Sequence, residues 1–172
     1  MDVFVEQIIK RKKSGADYGI IAGTVVLGFF IVAAAIILPY LAPFFLILIA
    51  GVCFGVYYVA SSRNVEFEYS TTNGDFTVDK IVNRRSRKRV CQFDLKSVEA
   101  MGKYDAATFQ NKTFDRQLKV GTDDAGMDAW YLIVRLKDSG NTFLLFSPNE
   151  KMLAAMKPFL PRQVSVNAFR GH

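Results

Sequence analysis

The sequence is poor in the residues that build most catalytic and metal sites. It contains one histidine, His172, which is the last residue, and two cysteines, Cys53 and Cys91. Histidine-based zinc chemistry and any Ser-His or Cys-His nucleophile pair therefore have no candidate base in the body of the chain. Cys53 lies in an apolar run and Cys91 in a strand-like run, so we expect no disulfide between them. Two such cysteines suit a reducing compartment.

Charge is absent from Tyr18 to Ala60, although the 172 residues include 22 basic and 16 acidic side chains. This uneven distribution excludes an ordinary soluble enzyme, an intrinsically disordered chain and a collagen-like repeat. It predicts a small membrane protein with a soluble part of about 110 residues.

Two parts of the uncharged stretch are long enough to cross a bilayer as helices. Residues 18–38 would span roughly 31 Å and residues 44–60 about 25 Å, close to the hydrocarbon thickness of a membrane. Pro39 and Pro43 end the first helix and start the second, because proline lacks the backbone donor and clashes with the preceding turn. The linker is so short that the spans must form an antiparallel hairpin with both chain ends on one side.

Basic residues set the predicted orientation. Arg63 follows the second span, the connecting turn is uncharged, and an N-terminal basic run precedes the first span: Lys10, Arg11, Lys12 and Lys13. The positive-inside rule then places both termini in the cytosol. A cleaved signal peptide is the competing interpretation, but the apolar run is too long for a signal sequence and no A-x-A site precedes a polar mature start.

Small residues recur at matched depths in the two spans. Glycines spaced four apart occur once in each span, and a fifth is level with Gly51; the set is Gly19, Gly23, Gly28, Gly51 and Gly55. Small residues let helix backbones approach closely in lipid, so we expect packing within the hairpin. Homodimerisation through the same residues is the alternative, and glycine is also simply common in membrane helices.

The N-terminal residues 1–17 form a basic, amphipathic segment. Apolar side chains at Val3, Phe4, Val5, Ile8 and Ile9 precede the basic run. This pattern predicts either a short interfacial helix on the inner leaflet or a helical extension of the first span. The predicted organisation is therefore the segment 1–17, a transmembrane hairpin over 18–60, and a cytosolic domain over 63–172.

In the cytosolic domain, apolar and polar residues alternate with a period of two. Residues 65–71 alternate apolar and polar side chains, and Asn73-Gly74 is a strong hairpin signal. We expect about six or seven strands in all, the clearest of which carries Trp130, Leu132, Val134 and Leu136 on one face. We expect a C-terminal helix capped by Ser147, with Pro148 in its first turn.

This order of elements resembles the pleckstrin-homology-like (PH-like) barrel, in which a bent antiparallel sheet is plugged by the last helix. The whole chain is similar to a family of small bacterial membrane proteins, clostridial in particular, that combine a two-helix hairpin with such a domain. Short motifs carry the resemblance: residues 2–6 with the basic run, 65–69 leading to 73–74, 79–81, 87–89 and 93–95. The resemblance implies an α+β fold, with a two-helix transmembrane hairpin followed by a PH-like antiparallel barrel or sheet. It also implies location in the bacterial cytoplasmic membrane, and it supplies no catalytic residue, metal or cofactor.

One cluster stands out as a candidate binding site. Five of six consecutive residues are basic, and we call them the basic cluster: Arg84, Arg85, Arg87, Lys88 and Arg89. With the N-terminal basic run they would bind anionic lipid head groups or an acidic protein partner. The alternative is a solvated hairpin tip or an edge strand protected by charge. Nucleic acid would match the charge, but no recognition module is visible.

These observations favour a non-enzymatic membrane protein. Its cytosolic domain would act as a scaffold or adaptor that binds a protein partner or the anionic membrane surface. The alternative is a small accessory subunit that docks onto a larger membrane complex through its hairpin. An enzyme would need a constellation of polar residues that the sequence does not display.

Overall fold

A computed structural model of the chain describes residues 3–109, 112–123, 129–136 and 138–170. The chain divides into two compact units. Lys13–Val65 forms the first, which contains the apolar helices, and Met1–Lys12 with Glu66–His172 forms the second, which contains the sheets. The helices are therefore an insertion in the sheet-forming unit.

The two apolar helices are confirmed. They are α1 (Gly15–Ile37) and α2 (Phe45–Ser62), joined by a 3-10 helix over Pro39–Phe44. Ser14 and Asp17 form a capping box at the start of α1, each side chain accepting a hydrogen bond from the other's backbone N–H. By length and composition, both helices are able to cross a membrane.

The predicted helix at the N-terminus is wrong, because this segment is a strand. β1 (Phe4–Lys10) pairs antiparallel with β2 (Val65–Thr72), and Lys10 lies opposite Glu66. Alternate residues of β1 are exposed, Ile8 among them. The spacing of the apolar residues fits both a helix and a strand. Pairing with β2 makes this segment a strand.

The first sheet contains four strands in the order β1-β2-β3-β4, where β3 is Asp75–Val82 and β4 is Ser86–Asp94. The predicted turn between β2 and β3 is confirmed: Asn73 and Gly74 have φ angles of 49° and 93°. Two successive positive φ angles are typical of the type I′ turn that favours Asn-Gly.

The second sheet also contains four strands, in the order β5-β7-β8-β6. Its β6 runs parallel to β8, whereas the prediction was an antiparallel sheet throughout. The strands are β5 (Val98–Lys103), β6 (Arg116–Lys119), β7 (Trp130–Leu136) and β8 (Gly140–Phe146). A 3-10 helix over Leu95–Ser97 separates β4 from β5, and the two sheets do not close into the predicted barrel.

The main core lies between the two sheets. The Tyr69 and Phe76 rings of the first sheet lie 5.8 Å and 5.9 Å from the ring of Phe146 in the second. The Tyr69 hydroxyl donates a hydrogen bond to the Val120 carbonyl at 2.5 Å, and burial raises the pKa of Tyr69. Of the four side chains predicted on one face of β7, Trp130, Leu132 and Val134 are buried, whereas Leu136 at the end of the strand is only partly buried.

Short helices cover the remaining apolar faces. A turn of helix, α3 (Ala106–Phe109), packs Phe109 against Phe143 on the other side of the second sheet. The C-terminal helix is present as α4 (Glu150–Met156), followed by a further helix, α5 (Arg162–Ala168). The residue that caps α4 differs from the predicted one.

The side chain of Asn149 caps α4 by accepting a hydrogen bond from the Met152 backbone N–H at 2.8 Å. Ser147, the predicted cap, instead accepts a hydrogen bond from the Thr122 N–H.

Candidate functional site

The basic cluster begins in the turn between β3 and β4. Val82 pairs with Ser86, and the Arg85 backbone N–H donates a hydrogen bond to the Val82 carbonyl at 3.0 Å. Asn83 and Arg84 have φ angles of 49° and 56°. Asparagine tolerates this left-handed region well, whereas arginine adopts it at an energetic cost. A strained arginine at a turn tip is a feature that the sequence did not reveal.

Two members of the basic cluster share one carboxylate. The Arg87 Nε lies 3.0 Å from Asp79 Oδ2, and the Arg89 Nε lies 3.0 Å from Asp79 Oδ1. Asp79 is 8% exposed, and it lies on β3 beside a register shift between Val78 and Asp79. The hydrogen bond from Arg89 to Asp79 and the charge of that carboxylate raise the pKa of Arg89. These two guanidiniums therefore stabilise a buried carboxylate.

Two glutamates of β2 complete a network of ion pairs. Glu68, which is 8% exposed, pairs with Arg87 across the intervening strand. Glu66 lies 3.7 Å from the Arg84 Nε and 4.0 Å from the Lys10 Nζ. Glu66 is partly exposed, whereas Glu68 is buried although the alternation along β2 would favour an exposed polar position. Strand register brings Glu66 and Glu68 to Arg84 and Arg87, which lie about 20 residues further along the chain.

The basic cluster is not fully neutralised by this network. Lys88 lies directly opposite Lys80 in the β3–β4 register, and like charges in that position repel. The side chain of Arg84 is 78% exposed in spite of its contact with Glu66. Positive charge therefore remains at the turn and along the adjoining part of β4. Lys80 is an additional basic residue that sequence spacing did not single out.

Strand order fixes where this charge lies within the sheet. In the antiparallel order β1-β2-β3-β4, the end of β1, the start of β2 and the β3–β4 turn all lie at one edge. The chain leaves that edge after Lys10 to form α1, and it returns there from α2 at Val65. We call this the basic edge, and it comprises Lys10, Lys80 and the basic cluster.

The rest of the N-terminal basic run connects β1 to α1. The Lys12 backbone N–H donates a hydrogen bond to the Thr122 carbonyl at 2.7 Å, which ties the run to the loop after β6. Arg11 belongs to the sheet-forming unit and Lys13 to the helical unit. The side chain of Lys10 is 73% exposed.

The predicted glycines behave differently from one another. A Cβ added at Gly28 would lie 2.5 Å from Val52 Cγ1, so the backbone of α1 packs closely against α2 at this point. A Cβ at Gly19, Gly23, Gly51 or Gly55 would meet nothing within 4 Å in the part of the chain that is described. Gly51 and Gly55 instead line a groove of about 340 Å³ between the two helices.

The two cysteines and the residue types that bind metal ions are the remaining candidates for chemistry. Cys53 and Cys91 are both free, as expected. Burial raises the pKa of the Cys91 thiol to about 12. Within the described ranges no group of three or more His, Cys, Asp or Glu residues has a geometry suited to a metal ion.

The comparisons with known proteins identify a family. Its profile, described as a bacterial PH-like domain (DUF6106), matches residues 1–166 and so includes β1, both apolar helices and the two sheets. The searches of curated proteins and of solved structures give no significant match. The match to the family covers almost the whole chain, and the chain belongs to the bacterial PH-like domain family DUF6106.

Proposed function

We propose that this protein is a non-enzymatic integral membrane protein of the bacterial cytoplasmic membrane. Its hairpin of α1 and α2 would anchor a cytosolic PH-like domain as a scaffold or adaptor. The helices are 23 and 18 residues long, and large apolar side chains such as Phe29 and Leu46 are exposed on them. Lipid would cover these side chains, whereas exposure to water would be unfavourable.

Both chain ends belong in the cytosol in this proposal. The N-terminal basic run and Arg63 flank the hairpin, and the Pro39–Phe44 turn carries no charge. This distribution follows the positive-inside rule.

The membrane surface is the proposed partner of the basic edge. The observation that carries the proposal is that the chain enters and leaves the hairpin at this same edge of the sheet. Only the linkers 11–14 and 63–64 separate the strands from the helices. At about 3.5 Å per residue, linkers this short would keep the ends of β1 and β2 within reach of the head groups once the hairpin is inserted. Each basic side chain near an anionic leaflet contributes about 1 kcal/mol.

The experiment places a fluorophore on the basic edge of the full-length chain in vesicles. Ser86→Cys is labelled in a background carrying Cys53→Ser and Cys91→Ala, and the vesicles contain head-group spin-labelled lipid as a quencher. Strong quenching with anionic lipid, weakened by 0.5 M salt, is expected from lipid contact. Thr72→Cys, at the opposite end of β2, is the control site and should be quenched little.

Matched charge variants make this experiment specific. The test variant changes Arg84, Arg85 and Lys88 to Gln, leaving Arg87 and Arg89 to pair with Asp79. The control variant changes three exposed basic residues outside the basic edge, Lys96, Lys151 and Arg162, to Gln. Loss of quenching in the test variant alone supports lipid contact, whereas equal behaviour of the two variants contradicts it. In that case an acidic protein partner becomes the occupant to seek.

A second candidate function rests on the groove between α1 and α2. Gly51 and Gly55 leave room there for another helix, which would suit an accessory subunit of a larger membrane complex or a second copy of the chain. Purification in mild detergent tests this function. A constitutive subunit would co-purify with its partner in fixed stoichiometry, and Gly55→Leu would abolish that association.

A further inference from the structure

We propose that the sheet-forming unit contains a second binding site, which takes a small aromatic molecule carrying a carboxylate or similar anionic group. The site is a groove of about 760 Å³ between α4 and the ends of β5 and β7. This volume lies in the range of small-molecule sites in proteins. None of the residues that line this groove belongs to the basic edge.

Aromatic side chains form its apolar walls. Tyr104 and Trp130 come from the end of β5 and the start of β7, and Phe169 follows α5. The Trp130 and Phe169 rings lie 5.6 Å apart with their planes inclined by 37°. A planar ring is the group that such walls contact best, because aromatic pairs gain energy beyond the area they bury.

Two lysines give the groove its charge preference. Lys103 and Lys157 line it, and Glu150 is the one acidic residue among the lining side chains. The Lys157 Nζ lies 5.1 Å from the centre of the Phe169 ring, so the ammonium group is positioned beside an apolar wall. In the described part of the chain, neither lysine forms an ion pair with a carboxylate. A ligand anion would supply one.

Hydrogen bonds within the sheet-forming unit hold two of the residues that line the groove. Asn149 caps α4, and its backbone N–H donates a hydrogen bond to the Gln7 side chain at 2.8 Å. The Tyr104 backbone N–H donates to the Ala129 carbonyl at 2.8 Å. Asn149 is thus fixed to β1 and Tyr104 to the residue before β7, which favours a preformed site.

Trp130 is the only tryptophan of the chain, so its fluorescence reports directly on this groove. The full-length chain in nanodiscs of zwitterionic lipid is titrated with 4-nitrobenzoate, an aromatic anion that quenches indole fluorescence. The uncharged 4-nitrobenzamide is the matched probe. Saturable quenching by 4-nitrobenzoate, at least ten-fold tighter than by 4-nitrobenzamide, is the expected result.

Three variants complete the test. Lys103→Gln with Lys157→Gln should weaken 4-nitrobenzoate binding about ten-fold and leave 4-nitrobenzamide unchanged. Lys151→Gln, in α4 but not among the residues that line the groove, should have no effect. Ala154→Phe places a ring in the groove from an exposed helix position and should abolish binding of both probes. Non-saturable quenching, or equal binding of the two probes in all variants, would overturn the proposal.

Discussion

The Arg63 guanidinium lies 3.9 Å from the Asp17 carboxylate. Asp17 lies in the first turn of α1, in the capping box with Ser14, and Arg63 follows α2, so this ion pair joins the two ends of the hairpin. Asp17 is buried, and the Arg63 Nε is itself buried without a hydrogen-bond partner. This ion pair therefore brings two opposite charges together at the end of the hairpin where α1 begins and α2 ends.

Asp17→Ala should lower the free energy of unfolding of the hairpin by about 1–2 kcal/mol, because it removes half of the capping box together with the ion pair. Reversible unfolding in detergent measures the loss. Ser14→Ala removes the cap alone and should cost less. If the two variants are equally stable, the ion pair with Arg63 contributes nothing.

Gly28→Ala should destabilise the hairpin by about 1–3 kcal/mol, because the new methyl group would overlap the Val52 side chain. Val52 is β-branched and its side chain rotates little within a helix. Gly23→Ala is the matched control, since its methyl group meets no neighbour in the described residues, and it should be neutral. Val52→Ala in the Gly28→Ala background should restore stability, and failure of that rescue would argue against close packing at this point.

Asp79→Asn should destabilise the sheet-forming unit by about 1–2 kcal/mol, because two half-exposed guanidiniums lose their shared carboxylate. Thermal unfolding of the full-length chain is the measurement. Asp75→Asn is the control: Asp75 is exposed and accepts a hydrogen bond from Gln92, so its loss should cost less. Equal effects of the two variants would mean that the ion pairs around Asp79 add no stability.

Cys91 should react with maleimide far more slowly in the folded chain than in the unfolded chain, since its thiol is buried and its pKa is raised to about 12 from an ordinary value of 9.0. A pKa raised by folding contributes stability below the unfolded pKa, and this stability is lost as pH rises toward the folded pKa. Raising the pH from 8 to 10 should therefore destabilise the natural chain more than Cys91→Ala. Labelling in a Cys53→Ser background, at equal rates before and after unfolding, would contradict this burial.

Local patterns in the sequence predicted the elements whose partners lie close by. The uncharged stretch predicted both apolar helices, and Asn73-Gly74 predicted the turn between β2 and β3. Hydropathy and turn chemistry act over a few residues, so a short sequence window contains the signal. β1 was missed because its partner, β2, lies beyond the whole hairpin. The mixed apolar and polar residues of Phe4–Lys10 fit a helical and a strand period alike until that pairing is known.

The candidate site was predictable only in part for the same reason. The run of basic residues is visible in the sequence, but the carboxylates that pair with it are not adjacent to it. Glu66, Glu68 and Asp79 reach the arginines through strand register and a register shift beside Val78. The position of the basic cluster at the edge where the chain enters the hairpin likewise follows from strand order alone.

The central claim is that α1 and α2 cross the membrane as a hairpin and present the PH-like domain to the cytosol. Single cysteines at Tyr40, in the exposed turn between the helices, and at Ser86 test it in the cysteine-free background described above. A membrane-impermeant maleimide applied to intact cells, after permeabilisation of any outer barrier, should label position 40 alone. It should label position 86 only in inverted vesicles. Labelling of both positions from the same side would contradict the account.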